Sequence, residues 1–225
     1  MTETNFWKIA IVGGTGKEGK GLAYRWGKTG HQIIIGSRDP FRAEATANEL
    51  NLKLPNNVIS GMENKEAASE GQIVVLTVPY SVHRETIINL KDAIPGKLII
   101  DVTVPLVPPK VTKVQMPLAG SAAQEANDIL GSSVQLTAAF QNISYENLIN
   151  FDQNYECDVL VTGTSKEARL RTLALVKDAG FIGWDAGPIE NSVVLEGLTS
   201  ILIGINRTYG STKAGIRITG VKRDL

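Results

Sequence analysis

This chain has few cysteine and histidine residues and no net charge, and each of these features excludes a class of protein. One of the 225 residues is cysteine and two are histidine, so an internal disulfide and a thiolate zinc cluster are excluded. The 23 basic and 23 acidic side chains give a formal net charge of zero, which leaves no basic surface for nucleic acid or anionic lipid. Cys157 opens an apolar run, which favours a buried structural thiol over a nucleophile.

Long hydrophobic runs are missing as well. No stretch approaches the ~18–20 apolar residues of a membrane span, and residues 1–5 lack the pattern of a signal peptide. No set of metal ligands is apparent. We therefore expect a cytoplasmic protein that binds no metal, no nucleic acid and no membrane.

A glycine-rich turn at residues 13–19 is the clearest motif in the chain. It lies between an apolar run of strand length and a segment that reads as the start of a helix. Gly14, Gly16 and Gly19 have the G-x-G-x-x-G spacing of a dinucleotide-binding turn, in which the glycines allow a tight turn, close approach of a pyrophosphate and close helix–strand packing. The free N–H groups of the helix start favour the same ligand. In this strand–turn–helix context the motif predicts nucleotide binding.

The end of the second predicted strand indicates which nucleotide is bound. An NAD-selective site usually places a carboxylate there, about 20 residues beyond the turn. This chain has Ser37 and Arg38 instead, with Arg42 one helical turn later, and guanidinium groups suit a 2′-phosphate. The alternative is that both arginines belong to a solvated helix start. Asp39 is better explained as a helix cap ahead of Pro40, so we interpret the cofactor as NADP(H).

Strands and helices alternate along most of the chain, which predicts an α/β fold with a Rossmann-type parallel sheet and right-handed crossovers. We place a dinucleotide-binding domain at residues 1–141 and a small α/β C-terminal domain, closing the cleft, at 142–225. The predicted strands are residues 7–12, 31–36, 58–61, 72–78, 97–102, 133–140, 158–163 and 181–184. The predicted helices begin near residues 20, 40, 64, 81, 121, 165 and 191.

Ligands of such sheets bind at the carboxyl ends of the strands. Val78 and Pro79 end the fourth predicted strand, and Val104 opens a stiff proline-rich loop after the fifth. Gln141 follows the sixth. His83, one turn into a helix, is interpreted either as facing the nicotinamide or as a half-exposed helix residue.

The last predicted helix, residues 191–209, has more apolar positions than one stripe requires. A helix that is apolar over most of its circumference is covered on several sides. A second subunit would provide such a cover, so we expect a homodimer.

Several motifs together resemble the NADPH-dependent coenzyme F420 reductases, also called F420H2:NADP oxidoreductases. The resemblance runs through nearly the whole chain. It is carried by residues 11–16, 36–38, 76–79, 121–123, 158–161, 185–188, 195–199 and 215–220.

The resemblance implies a hydride transfer between NADP(H) and coenzyme F420, an 8-hydroxy-5-deazaflavin that lies against the nicotinamide between two domains. It also implies that residues 15–19 bind the pyrophosphate and that Thr15, Ser37, Arg38 and Arg42 contact the 2′-phosphate. The complete set of expected cofactor-binding residues is Gly14, Thr15, Gly16, Lys17, Glu18, Gly19, Ser37, Arg38, Arg42, Val78, Pro79, His83, Val104 and Gln141. No catalytic residue is assigned, because hydride transfer between two rings needs alignment more than an acid or base.

One departure from the family bears on the acceptor. Archaeal members have a histidine and an aliphatic residue near the deazaflavin, at the end of the sixth strand, where this chain has Ala138 and Phe140. Two alternatives therefore stay open beside the deazaflavin reductase. One is an NADPH-dependent reductase of another small acceptor, such as an imine or a flavin, and the other is a non-enzymatic NADP(H) sensor.

Overall fold

A computed structural model describes residues 6–150 and 156–222, and its strands are four to seven residues long and mostly apolar. Most of these strands are buried on both faces, as continuous apolar runs require. The strands are β1 (Lys8–Val12), β2 (Gln32–Ser37), β3 (Ile59–Glu63), β4 (Ile73–Leu76), β5 (Leu98–Asp101), β6 (Gln135–Ala138), β7 (Asp158–Gly163) and β8 (Ile182–Pro188).

The α-helices connect these strands, and several begin at the predicted caps. Asp39 accepts hydrogen bonds from the N–H groups of Phe41 and Arg42, as predicted, and Ser165 accepts one from Ala168. The helices are α1 (Lys17–Lys28), α2 (Pro40–Asn51), α3 (Asn64–Glu70), α4 (Tyr80–Leu90), α5 (Ala122–Leu130), α6 (Tyr145–Ile149), α7 (Lys166–Asp178) and α8 (Ser192–Tyr209).

The strands form one sheet in the order β3-β2-β1-β4-β5-β6-β7-β8. All neighbouring pairs are parallel except β6 and β7, which are antiparallel. The α/β fold with a Rossmann-type sheet is thereby confirmed. Strands β7 and β8 lie beyond residue 141 and extend this same sheet, so the division of the chain at residues 141 and 142 stays a prediction.

Helices cover both faces of the sheet and create two apolar cores. Alternate residues of β1 point to opposite sides, with Ile9 and Ile11 in one core and Ala10 and Val12 in the other. The first core lies under α1, α2 and α7, and the second lies under α3, α4 and α5. This arrangement leaves the carboxyl ends of the strands as the open edge.

His31 and Cys157 are both buried, and Cys157 has the structural position that the sequence predicts. His31 is 1% exposed, accepts a hydrogen bond from the Trp7 N–H at 3.1 Å and lies 2.9 Å from an oxygen of Asp178. Cys157 is buried as a free thiol.

Helix α6 was not predicted, and strands β4 and β6 are shorter than predicted. Helix α6 has only five residues, and the Arg25 guanidinium stabilises it by donating hydrogen bonds to the backbone carbonyls of Asn147 and Leu148. Strand β4 ends at Leu76, and the hydroxyl and N–H groups of the next residue, Thr77, both donate to the carbonyl of Val12. Within the described ranges, no helix has the length and hydropathy needed to cross a bilayer.

Candidate functional site

The glycine turn between β1 and α1 has the packing that a dinucleotide-binding turn requires. A Cβ at Gly19 would lie 2.6 Å from the Cα of Gly14, and one at Gly14 would lie 2.7 Å from the carbonyl of Ile11. Both glycines are therefore needed for close helix–strand contact. At Gly16 the nearest atom outside its chain neighbours is 3.6 Å away. The protein's own packing leaves room for a side chain at Gly16, and a pyrophosphate against the backbone would fill that room.

The start of α1 offers hydrogen-bond donors at the same place. Gly16 is the N-cap residue and no side chain caps the helix, so the first N–H groups keep their capacity for an anion. Lys17 is exposed there and its ammonium donates to the Tyr145 hydroxyl at 3.1 Å. The turn thus has the geometry and the donors that a pyrophosphate needs.

Three of the four residues expected at a 2′-phosphate lie where β2 passes into α2, and the fourth, Thr15, lies in the glycine turn after β1. Ser37 is buried, and its hydroxyl accepts a hydrogen bond from the Asp39 N–H at 3.2 Å. Arg38 and Arg42 are exposed at the start of α2. Among the residues that the structure describes, no carboxylate pairs with either guanidinium. Because the Asp39 carboxylate caps α2, it does not replace the missing ribose-binding carboxylate.

A cavity of about 610 Å³ opens beside the turn, at the carboxyl ends of β4, β5 and β6. Helix α8 and the segment after it form its far wall. Of the predicted site residues, Glu18, Val78, Pro79, Val104 and Gln141 line this cavity. The other lining residues, which the sequence analysis missed as site residues, include Tyr80, Thr103, Asn142, Tyr145, Thr199, Leu202, Ile203, Asn206, Arg207 and Thr212.

The wall after β6 is held in an unusual backbone conformation. Phe140 has φ of 73° and is fully buried, a conformation that costs energy for a residue with a side chain. The Phe140 ring packs edge-on against the Trp26 ring, with 5.8 Å between the ring centroids. This contact holds Phe140 in place. The next residue, Gln141, is thereby turned toward the cavity, and its amide nitrogen donates to the carbonyl of Asp101 at 2.7 Å.

His83 lies behind the cavity wall and does not line it. Its side chain is fully buried, and Nε2 lies 2.7 Å from an oxygen of Asp101, the last residue of β5. Burial disfavours the charged imidazole, but the Asp101 carboxylate outweighs this and raises the pKa of His83. The structure thus places His83 in a buried ion pair, because α4 packs its first turn against β5 and not over the ligand edge.

Two polar side chains that sequence reasoning missed connect helix α8 to the rest of the molecule. Glu196 is fully buried and accepts hydrogen bonds from the N–H groups of Ala122 and Ala123, at 2.7 and 3.0 Å. Burial outweighs these donors and raises the pKa of Glu196 to about 8. One turn later, Thr199 donates to the carbonyl of Gln141 at 2.7 Å. The available signal was a glutamate inside an otherwise apolar helix.

The fold and the glycine turn together define a dinucleotide-binding protein of the Rossmann class, with a cavity beside the turn. The family described as "NADP oxidoreductase coenzyme F420-dependent" matches residues 8–105. The F420-dependent NADP reductase of Methanocaldococcus jannaschii is 39% identical over 223 residues, which are 96% of this chain and 99% of that protein. The chain therefore belongs to the family of F420-dependent NADP reductases.

Two further comparisons agree with this result. The F420-dependent NADP reductase of Methanothermobacter marburgensis is 36% identical and covers 95% of this chain and 99% of its own length. A crystal structure of a proposed F420-dependent NADP-reductase from Arthrobacter sp. FB24 has a TM-score of 0.77 at 20% identity. It covers 95% of this chain and 99% of that one. That structure supports the fold.

Proposed function

We propose that this protein transfers a hydride between NADP(H) and coenzyme F420. The observation that carries the proposal is the cavity of about 610 Å³ that adjoins the glycine turn. Its size lies within the ~300–1,000 Å³ of small-molecule sites. It occurs in a chain that matches F420-dependent NADP reductases over nearly its whole length.

The nucleotide half of the proposal rests on the turn and the end of β2. The space at Gly16 and the uncapped start of α1 suit the pyrophosphate. Arg38 and Arg42 have no carboxylate partner among the described residues. They suit a 2′-phosphate because a guanidinium donates charge-assisted hydrogen bonds to it. NADP(H) is thus favoured over NAD(H).

The acceptor half rests on the walls of the cavity. Val78, Val104, Leu202 and Ile203 give it apolar surface on both sides, which excludes water from two facing rings. Thr199 fixes α8 against the end of β6. Residues 142–225, which supply this wall, are proposed as the unit that closes the cleft. Bound NADPH supplies the hydride, and the chain's part is to align the two rings.

The test is an anaerobic mixture of purified protein, NADPH and oxidised deazaflavin, followed by the loss of the deazaflavin's visible band. Bleaching with NADPH, and much slower bleaching with NADH, is expected. Parallel reactions with a cyclic imine and with a flavin test the other acceptors. If NADPH binds but the band persists, the deazaflavin assignment fails, and turnover of no acceptor at all would favour a sensor.

We also infer that the protein is a homodimer that pairs through α8. Val194, Ile201, Ile205 and Tyr209 are 40–79% exposed, and their spacing places them on one side of the helix. A row of exposed apolar side chains on one helix face favours a protein interface. A cytoplasmic location belongs to the same proposal, since the free thiol of Cys157 suits a reducing compartment.

A further inference from the structure

Glu18 is the one carboxyl group among the described residues that line the cavity. It is the second residue of α1 and is half-buried. Within residues 6–150 and 156–222, no hydrogen bond or ion pair engages its side chain. An acidic group that faces a ligand cavity without a partner calls for a functional explanation.

The other titratable and charged groups around Glu18 either interact with another side chain or cannot release a proton. The Lys17 ammonium is directed to Tyr145, where it bonds the hydroxyl and lies 4.3 Å above the ring centre. Tyr80 donates its hydroxyl to Glu125 at 3.1 Å. Burial, and then the Glu125 carboxylate, raises the pKa of Tyr80 to about 12. Arg207 is a permanent cation.

The surroundings of Glu18 favour its protonated form. Burial with no compensating cation raises the pKa of Glu18 to about 8. The partial positive charge at the start of α1 acts in the opposite direction, but a bound pyrophosphate would neutralise that charge. A carboxyl group that holds its proton at neutral pH inside a ligand cavity is the arrangement of a general acid.

We propose that the Glu18 carboxyl group donates the proton that completes reduction of the acceptor ring. The inference rests on the proposed function and deepens it. NADPH loses a hydride with both electrons of its C–H bond and becomes NADP⁺. The acceptor gains a C–H bond at C5 and an N–H bond at the conjugated nitrogen N1. The proton for N1 comes from the O–H bond of Glu18, and the resulting carboxylate takes up one proton from the bulk solvent, so that each turnover consumes one proton.

The first experiment needs no turnover. In protein labelled with ¹³C at the glutamate carboxyl carbons and saturated with NADP⁺, the signal that disappears in Glu18→Gln is titrated. We expect a midpoint near 8. A midpoint near the ordinary value of about 4.3 would overturn the proposal, since Glu18 would then have no proton to give at neutral pH.

The second experiment measures single-turnover reduction of deazaflavin by NADPH across pH 6 to 10. We expect Glu18→Gln to lower the rate constant at saturating NADPH by ~10²–10⁴-fold. The wild-type rate should fall as pH rises past about 8, and the variant should lack this decline. Glu146→Gln, a partly buried glutamate in the first turn of α6 that does not line the cavity, should behave as wild type.

Each other outcome contradicts the role of Glu18. A Glu18→Gln rate within threefold of wild type would overturn it, and so would weaker binding with an unchanged rate. Loss of the pH decline in Tyr145→Phe but not in Glu18→Gln would make Tyr145 the donor. Failure of the wild type to reduce deazaflavin would remove the proposed function together with this inference, whereas the preceding outcomes leave that function intact.

Discussion

The Glu196 carboxyl group accepts a 2.7 Å hydrogen bond from the backbone N–H of Ala122, the first residue of α5. This contact joins the helix that forms the far wall of the cavity to a helix that packs on the sheet. It lies one turn from Thr199, which bonds the carbonyl of Gln141. The position of α8 over the nucleotide site therefore depends on a buried ionisable group.

Glu196 should make folding stability depend on pH. Its pKa is raised from 4.5 to about 8 in the folded protein by burial, whereas an unfolded chain has the ordinary value. Between these values the folded state holds a proton that the unfolded state releases, so the free energy of unfolding falls as pH rises, by up to about 1.4 kcal/mol per unit. Urea denaturation at intervals from pH 5 to pH 8 measures this slope.

The variant Glu196→Gln should reduce that slope by up to about 1.4 kcal/mol per pH unit, which is the contribution of one linked proton. Glu190→Gln, at an exposed position before α8, is the matched control and should keep the wild-type slope. An unchanged slope in Glu196→Gln would mean that Glu196 does not carry the linked proton.

Arg38→Ala should weaken NADPH binding by roughly 10- to 100-fold and leave NADH binding nearly unchanged. A charge-assisted hydrogen bond is worth ~1.5–3 kcal/mol, and each decade of affinity is ~1.4 kcal/mol. Calorimetric titration of both nucleotides measures the effect, with Arg171→Ala on α7 as control. Equal losses for NADPH and NADH would remove Arg38 from the phosphate site.

His83→Gln should leave the rate of hydride transfer within about tenfold of wild type. His83 is fully buried against Asp101 and does not line the cavity, whereas a general acid or base contributes ~10²–10⁴-fold. Single-turnover kinetics at saturating NADPH measures the rate, and a nucleotide titration checks that binding is intact. A loss above a hundredfold with normal binding would make His83 catalytic.

Ile201→Asp should convert a dimer to a monomer. Ile201 is 50% exposed in the middle of the apolar row on α8, and a charge there would be buried without a partner in a symmetric interface. Light scattering at micromolar concentration gives the mass. Leu52→Asp, at an 89% exposed leucine after α2, should remain dimeric. A monomeric wild type would rule out the interface.

Local sequence signals predicted most of the sheet and the nucleotide half of the site. The glycine spacing at residues 13–19 and the Asp39–Pro40 cap act through contacts within one turn of chain, so they can be read from neighbouring residues. The family resemblance then supplied the acceptor, which no local pattern could name.

Contacts between residues distant in the chain were not predictable in this way. The partner of His83 is Asp101, 18 residues away on another element. Glu196 accepts hydrogen bonds from Ala123 and Ala122, which lie 73 and 74 residues earlier in the chain. Helix α6 depends on the Arg25 guanidinium, 122 residues before Asn147. Such pairs depend on how the helices and strands pack against one another. Neither hydrophobic periodicity nor helix-capping signals encode that packing.

The most direct test of hydride transfer between NADP(H) and coenzyme F420 is a label-transfer measurement. NADPH carrying deuterium stereospecifically at C4 of the nicotinamide is mixed anaerobically with the protein and oxidised deazaflavin, and the product is analysed by mass spectrometry and NMR. The account predicts deuterium at C5 of the reduced deazaflavin from one of the two C4 positions only, because an ordered cleft presents one face of the nicotinamide. Reduced deazaflavin without label from either position, or no reduction while NADPH demonstrably binds, would contradict it.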